Sequence, residues 1–250
     1  MTVSERDCTT VYNSIAADYD EKRFGTAHGR YDLEESRALL EDIIRGHIDR
    51  QQWSALDVAA GTGKVAITAA HCGGRVVALD SAEAMLWQCQ WNAIRDGVAP
   101  RISCQLGRAE QLPFPANHFD LVFSFRFLHL VPRSEYPHLL REMLRVTKPG
   151  GHIVIEIKNR WYGLLWYSIR DRRRVRRGEN RLSSYSSLRD LAHLAKEAGG
   201  CRLLSTYGLL LPKGWWLLGR PRLQWSARLL ARKWLKPISA HVVAVYRKMD

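Results

Sequence analysis

The stretch Leu56-Asp57-Val58-Ala59-Ala60-Gly61-Thr62-Gly63-Lys64-Val65-Ala66, with the apolar run Val76-Val77-Ala78-Leu79 that ends on Asp80, decides the fold class. Ala55 to Ala59 is expected as a short buried strand and Val65 to His71 as the opening of a helix. Gly61 and Gly63 allow a turn that side chains would block, so a ligand reaches bare backbone at a helix N-terminus. The second strand ends on a carboxylate, and its two oxygens suit the vicinal hydroxyls of a ribose, with the charge strengthening both hydrogen bonds. Gly63 and Asp80 lie 17 residues apart, close to the spacing this geometry needs.

The Gly-x-Gly-x-x-Ala pattern suits a dinucleotide as well as S-adenosylmethionine, and its surroundings discriminate. A dinucleotide fold usually starts near its first strand, whereas about 50 residues of helical pattern come first here. Downstream stand Gly107-Arg108-Ala109-Glu110-Gln111-Leu112-Pro113-Phe114-Pro115, then His118-Phe119-Asp120-Leu121-Val122-Phe123-Ser124, then Leu144-Arg145-Val146-Thr147-Lys148-Pro149-Gly150-Gly151-His152-Ile153-Val154-Ile155. With the N-terminal Val11-Tyr12-Asn13-Ser14-Ile15-Ala16-Ala17-Asp18-Tyr19-Asp20, these motifs resemble a class I S-adenosylmethionine-dependent methyltransferase of the ubiquinone/menaquinone C-methyltransferase-like, type 11 group. The resemblance covers roughly Val11 to Ile157.

The resemblance implies an α/β, Rossmann-like fold with a mixed seven-stranded sheet, helices on both faces and S-adenosylmethionine as cofactor. It implies that Asp80 holds the ribose, that Asp57 orients the methionine ammonium end or caps the glycine turn, and that Ala59, Gly61 and Gly63 form the cradle. Ser81 and Met85 are expected on the adenine side, with Arg108, Ala109 and Glu110 beyond them and Ser124 at the end of the fourth strand. Arg108 stands where the family often carries Asp or Asn; Arg offers no acceptor, so the Ala109 backbone is the expected adenine contact. Tyr12, Tyr19 and Arg23 are placed over the methionine end, where packing aromatics are the plainer reading.

Strands are expected at 55 to 59, 76 to 80, 101 to 105, 119 to 124 and 152 to 157, after an amphipathic helix from Tyr31 to His47. Ser187 to Ala198 reads as a helix stopped by Gly199-Gly200. Arg202 to Tyr207 and His241 to Tyr246 read as two last strands, antiparallel as in the family, with 208 to 238 inserted between them.

At 250 residues and 46% hydrophobic content the chain reads as one domain: closing helices over 1–50, a cofactor core over 51–157, and basic aromatic segments at 158–186 and 208–238. Five cysteines form no Cys-x-x-Cys pair, which points to a reducing, cytoplasmic setting without a structural metal. No leader is expected in the polar, acid-bearing first ten residues, and no apolar run approaches the roughly 18 residues of a spanning helix. Charge divides the chain. The first 157 residues carry 17 Lys and Arg against 20 Asp and Glu, the remainder 21 against 5, or net −3 against +16.

Methyl transfer is an in-line displacement at a sulfonium carbon, so an acceptor must be aligned behind the methyl and water excluded. His129, just past the fourth strand in Phe125-Arg126-Phe127-Leu128-His129-Leu130, is the candidate base, against the plainer reading of a packed helical histidine. Arg126 is a candidate holder of an anionic acceptor, against an exposed helical arginine. In 208–238, Leu223, Ala227, Leu230 and Trp234 share a helical face rimmed by Arg and Lys, which suits either an active-site lid or an anchor on an anionic membrane. The expected acceptor is small and lipophilic or amphiphilic, quinone-like, phenolic or lipid-linked. Two alternatives stand beside it. Arg172-Arg173-Arg174-Val175-Arg176-Arg177 near Trp161 and Trp166 would fit RNA, although no base-methylation motif accompanies them, and a non-catalytic S-adenosylmethionine-binding partner is the other.

Overall fold

Sequence runs that are apolar on both faces become the central parallel strands, because helices cover each face of such a sheet. The computed structural model describes residues 5–159, 185–209 and 239–250. Among them the helices α1 (Glu5–Phe24), α2 (Ala27–His47), α3 (Lys64–His71), α4 (Glu83–Arg95), α5 (Tyr136–Val146) and α6 (Leu188–Ala198) surround the strands β1 (Ser54–Val58), β2 (Arg75–Asp80), β3 (Ile102–Leu106), β4 (Phe119–Ser124), β5 (Thr147–Asn159), β6 (Tyr185–Ser186), β7 (Cys201–Leu209) and β8 (His241–Lys248). The sheet runs β3-β2-β1-β4-β5-β8-β7, and the two-residue β6 pairs with the end of β5. Strands β3 to β5 are parallel; β8 lies antiparallel between β5 and β7. This is the expected mixed seven-stranded architecture.

Alternation along the strands feeds two cores. Ala55, Val76, Leu121, Phe123 and Val154 face α2 and α3 on one side, while Leu56, Val122, Ile153, Ile155 and Tyr246 face α5 and α6 on the other. Asp120 ties the bottom of the sheet: its carboxylate accepts from Ser54 N at 2.9 Å and pairs with Arg50 at 2.9 Å and Lys148 at 2.8 Å.

Helix ends follow local chemistry. At α6, Ser187 and Asp190 form a reciprocal capping box, and Gly199, at φ 73°, leaves the helix in the left-handed region that glycine tolerates. Helix α2 starts before the expected Tyr31, because the Thr26 side chain accepts from Gly29 N and caps it. Strand β5 is longer than expected, absorbing Lys148 to Gly151 through a register shift against β4. Strand order reverses between β1 and β4, and ligands of open α/β sheets bind beyond the carboxyl ends of strands at that point. The Arg172–Arg177 run and the helical face of 208–238, with its lid and membrane readings, lie outside the described residues. No described helix is long and apolar enough to cross a membrane.

Candidate cofactor and acceptor site

The turn after β1 keeps its shape through three left-handed residues: Ala59 at φ 60°, Gly61 at 55° and Gly63 at 74°. Asp80 braces it, one carboxylate oxygen accepting from Gly61 N at 2.8 Å and the other from Ala82 N at 2.9 Å. A Cβ on Gly61 would meet nothing within 4 Å, so its Cα fronts open space. Gly63 is different. A Cβ there would lie 2.2 Å from Cys89 Sγ, so Gly63 supplies a close approach between the turn and α4 and does not line the cavity.

Helix α1 covers this turn from the other side. Tyr12, Tyr19 and Phe24 meet edge to face, with centroids 6.1 and 6.2 Å apart. Burial, reinforced by Tyr19, pushes the Tyr12 phenol up to about 12, so it stays a hydrogen-bond donor. Asp20 fastens the helix down: it accepts from Thr62 Oγ1 at 2.6 Å and Asn92 Nδ2 at 3.0 Å, and pairs with Lys64 at 2.9 Å. Asn13 accepts from Ala84 N at 3.0 Å, and Thr9 and Ser81 share a hydroxyl hydrogen bond of 3.0 Å.

One cavity results. Tyr19, Asp57, Ala59, Gly61, Asp80, Ser81, Met85, Arg108, Ala109, Glu110 and Arg126 all line it, so most of the residues expected from the sequence converge. Burial raises the Asp57 carboxyl well above the usual carboxylate range against the opposing pull of Arg126, and it raises Asp80 against its backbone donors. Arg108 is occupied by Glu110 at 3.5 Å, and Ala109 is buried beside it. Ser124 stands apart: it is fully buried, its hydroxyl donates to Val58 O at 2.8 Å, and it acts as a strand-to-strand tie beneath the cavity.

The far end of the cavity is apolar and cationic. Phe24, Phe125, Phe127, Leu130 and Val131 line it, and Arg126 sits there with its guanidinium 5.1 Å from the Phe24 centroid. His129 lies in a 3-10 turn just behind and does not line the cavity. Burial, with Lys158, His241 and Arg23 adding to it, drives its imidazole down to about 3. The base expected at His129 is therefore a weakened one set off the cavity lining, because a proton on it would sit desolvated beside Lys158 and Arg23. Beside it Glu156, fully buried in β5, pairs with His241 Nδ1; burial opposes its charge, but His241 and Arg126 hold its carboxyl below the ordinary range.

Comparison with known proteins converges on this site. A methyltransferase-domain family model matches residues 55–151. The ubiquinone/menaquinone biosynthesis C-methyltransferase UbiE of Ectopseudomonas oleovorans is 34% identical over 146 residues, covering 56% of this chain and 81% of that protein. This chain belongs to the UbiE-like class I S-adenosylmethionine-dependent methyltransferases. The UbiE of Azotobacter vinelandii is 32% identical over 154 residues, covering 60% of this chain and 58% of that protein, so the match spans just over half the length of this relative. Magnesium protoporphyrin IX methyltransferase of Synechocystis, solved with bound S-adenosylhomocysteine, shares the fold at TM-score 0.70 and 11% identity, over 98% of this chain and all of that one.

The methyltransferase site fits its cofactor on its own geometry: the open cradle at Gly61 admits a ligand, and Asp80 and Asp57 offer carboxylates to a ribose diol and to an ammonium. Sequence reasoning did not single out Asp20, Asn92, Glu156 or His241. For Glu156 the signal existed, an acid in the apolar run Ile153 to Ile157, the same feature that marked Asp80.

Proposed function

We propose that the protein transfers a methyl group from S-adenosylmethionine to a small lipophilic or amphiphilic acceptor carrying a quinone-like or phenolic ring. The observation that carries this reading is that the carboxylate-lined end at Asp80 and the aromatic end at Phe24, Phe125 and Phe127 belong to one cavity. The UbiE relatives, named for C-methylation in ubiquinone and menaquinone biosynthesis, support a ring acceptor. When bound, S-adenosylmethionine supplies an electrophilic methyl on a cationic sulfur. Asp80 and the glycine turn fix the donor, the aromatic end orients a flat acceptor behind the methyl, and α1, fastened by Asp20, keeps water out.

Incubation with methyl-labelled S-adenosylmethionine and host lipid or aqueous extracts is expected to label a product that partitions into organic solvent. Label confined to RNA, or no labelled product from any fraction, would contradict the reading. A lipophilic acceptor also gives the Leu- and Trp-rich 208–238 segment a task at a membrane face from the cytoplasmic side. Deleting 208–238 is expected to abolish co-sedimentation with anionic liposomes, and persistence of binding would reject that role.

A further inference from the structure

The cations of the cavity wall are mostly spoken for. Lys64 pairs with Asp20 at 2.9 Å and Arg108 with Glu110 at 3.5 Å. Arg126 differs. Its Nη1 is buried and has no hydrogen-bond partner, and among the described residues it makes no ion pair within 4 Å. A buried guanidinium nitrogen left unpaired costs free energy that a ligand can return.

The backbone adds a second observation. Arg126 is in the left-handed region at φ 58°, which a long side chain rarely adopts, so the fold spends strain to aim this residue into the cavity. Phe24 underlies its guanidinium and fixes the plane. Asp57 and Glu156 act on it only through space, without an ion pair within 4 Å. Glu156 spends one oxygen on His241, and neither acid closes a hydrogen-bonded pair with the guanidinium. Lys158 and Arg23 add positive potential around the neighbouring His129.

Resting on the methyltransferase reading, we infer that the acceptor enters as an oxyanion, a phenolate, enolate or carboxylate, and docks on Arg126, so that no protein base is needed at His129. The step balances. The anion's electron pair forms the new bond to the methyl carbon, the carbon–sulfur pair returns to sulfur, and an anion plus a sulfonium become an uncharged methylated product and a thioether. The acceptor's proton has left to solvent before binding. The cationic wall thus attracts the substrate and loses its hold on the product, which favours release.

The test uses the full-length protein saturated with S-adenosylhomocysteine and two isosteric probes, 2-naphthoate and 2-naphthamide, titrated by calorimetry. Wild type is expected to prefer the naphthoate by about tenfold or more, the worth of one charge-assisted hydrogen bond. Arg126→Met should bring the two probes level. Arg126→Lys should keep a smaller preference, since it retains charge but not the planar fork, and it serves if the methionine variant fails to fold. Equal affinities in wild type, binding of neither probe, or an unchanged preference in Arg126→Met would overturn the inference while leaving methyl transfer standing. Failure of wild type to bind S-adenosylhomocysteine would overturn the methyltransferase reading and this inference together.

Discussion

Asp80→Ala is expected to lose at least about 100-fold in affinity for S-adenosylhomocysteine, measured by equilibrium dialysis with labelled ligand. Two effects add. The carboxylate offers charge-assisted acceptors to the ribose hydroxyls, each worth about 1.5–3 kcal/mol. It also holds the turn itself, through Gly61 N at 2.8 Å and Ala82 N at 2.9 Å, so its removal frees the cradle as well as the contact. Asp80→Asn separates the two: its amide oxygen keeps one backbone donor while the charge is gone, and an intermediate loss is expected. Undiminished binding by Asp80→Ala would remove the ribose role from this residue.

The second large effect concerns stability. Gly63→Ala is expected to destabilise the fold by about 2–5 kcal/mol, the sum of about 1–2 for a side chain in the left-handed region and about 1–3 for overpacking. Both causes are local: φ is 74°, and the new Cβ would lie 2.2 Å from Cys89 Sγ. Cys89→Ala in the same chain removes the sulfur but leaves its Cβ at 3.1 Å, so the double variant should regain the overpacking part and keep the backbone part. Urea denaturation of the four proteins reads this as a coupling energy. Strictly additive losses would show that the turn does not rest on Cys89.

The parts of this site legible in the sequence are those written in neighbouring residues. Val76 to Asp80 shows an apolar strand ending on an acid, Gly61 and Gly63 show a turn, and Ser187 to Gly200 shows a capped and terminated helix. What was not legible joins distant segments. Asp20 reaches Thr62 across 42 residues and Asn92 across 72, and Glu156 meets His241 across 85, so each depends on α1 docking or on the completed sheet. The Ser124 hydroxyl shows the same dependence, since it donates to Val58 O on the neighbouring strand. His129 sits where expected, yet burial among Lys158, His241 and Arg23 weakens the basicity that its residue type promised. The left-handed backbone of Arg126 has no signature in its neighbours, since Gly or Asn is the usual occupant of that region.

His241 and Arg126 offset the burial of the Glu156 carboxyl, exposed by only 1%, and β5 and β8, antiparallel neighbours, bring Glu156 and His241 together.

The central claim is that the cradle between Gly61 and Asp80 holds S-adenosylmethionine. Calorimetric titration of the wild-type protein with S-adenosylhomocysteine tests it most directly. The account predicts saturable binding of one molecule per chain, undisturbed by an excess of NAD. Absence of binding heat and of any thermal stabilisation by S-adenosylhomocysteine, or displacement of the ligand by NAD, would contradict it.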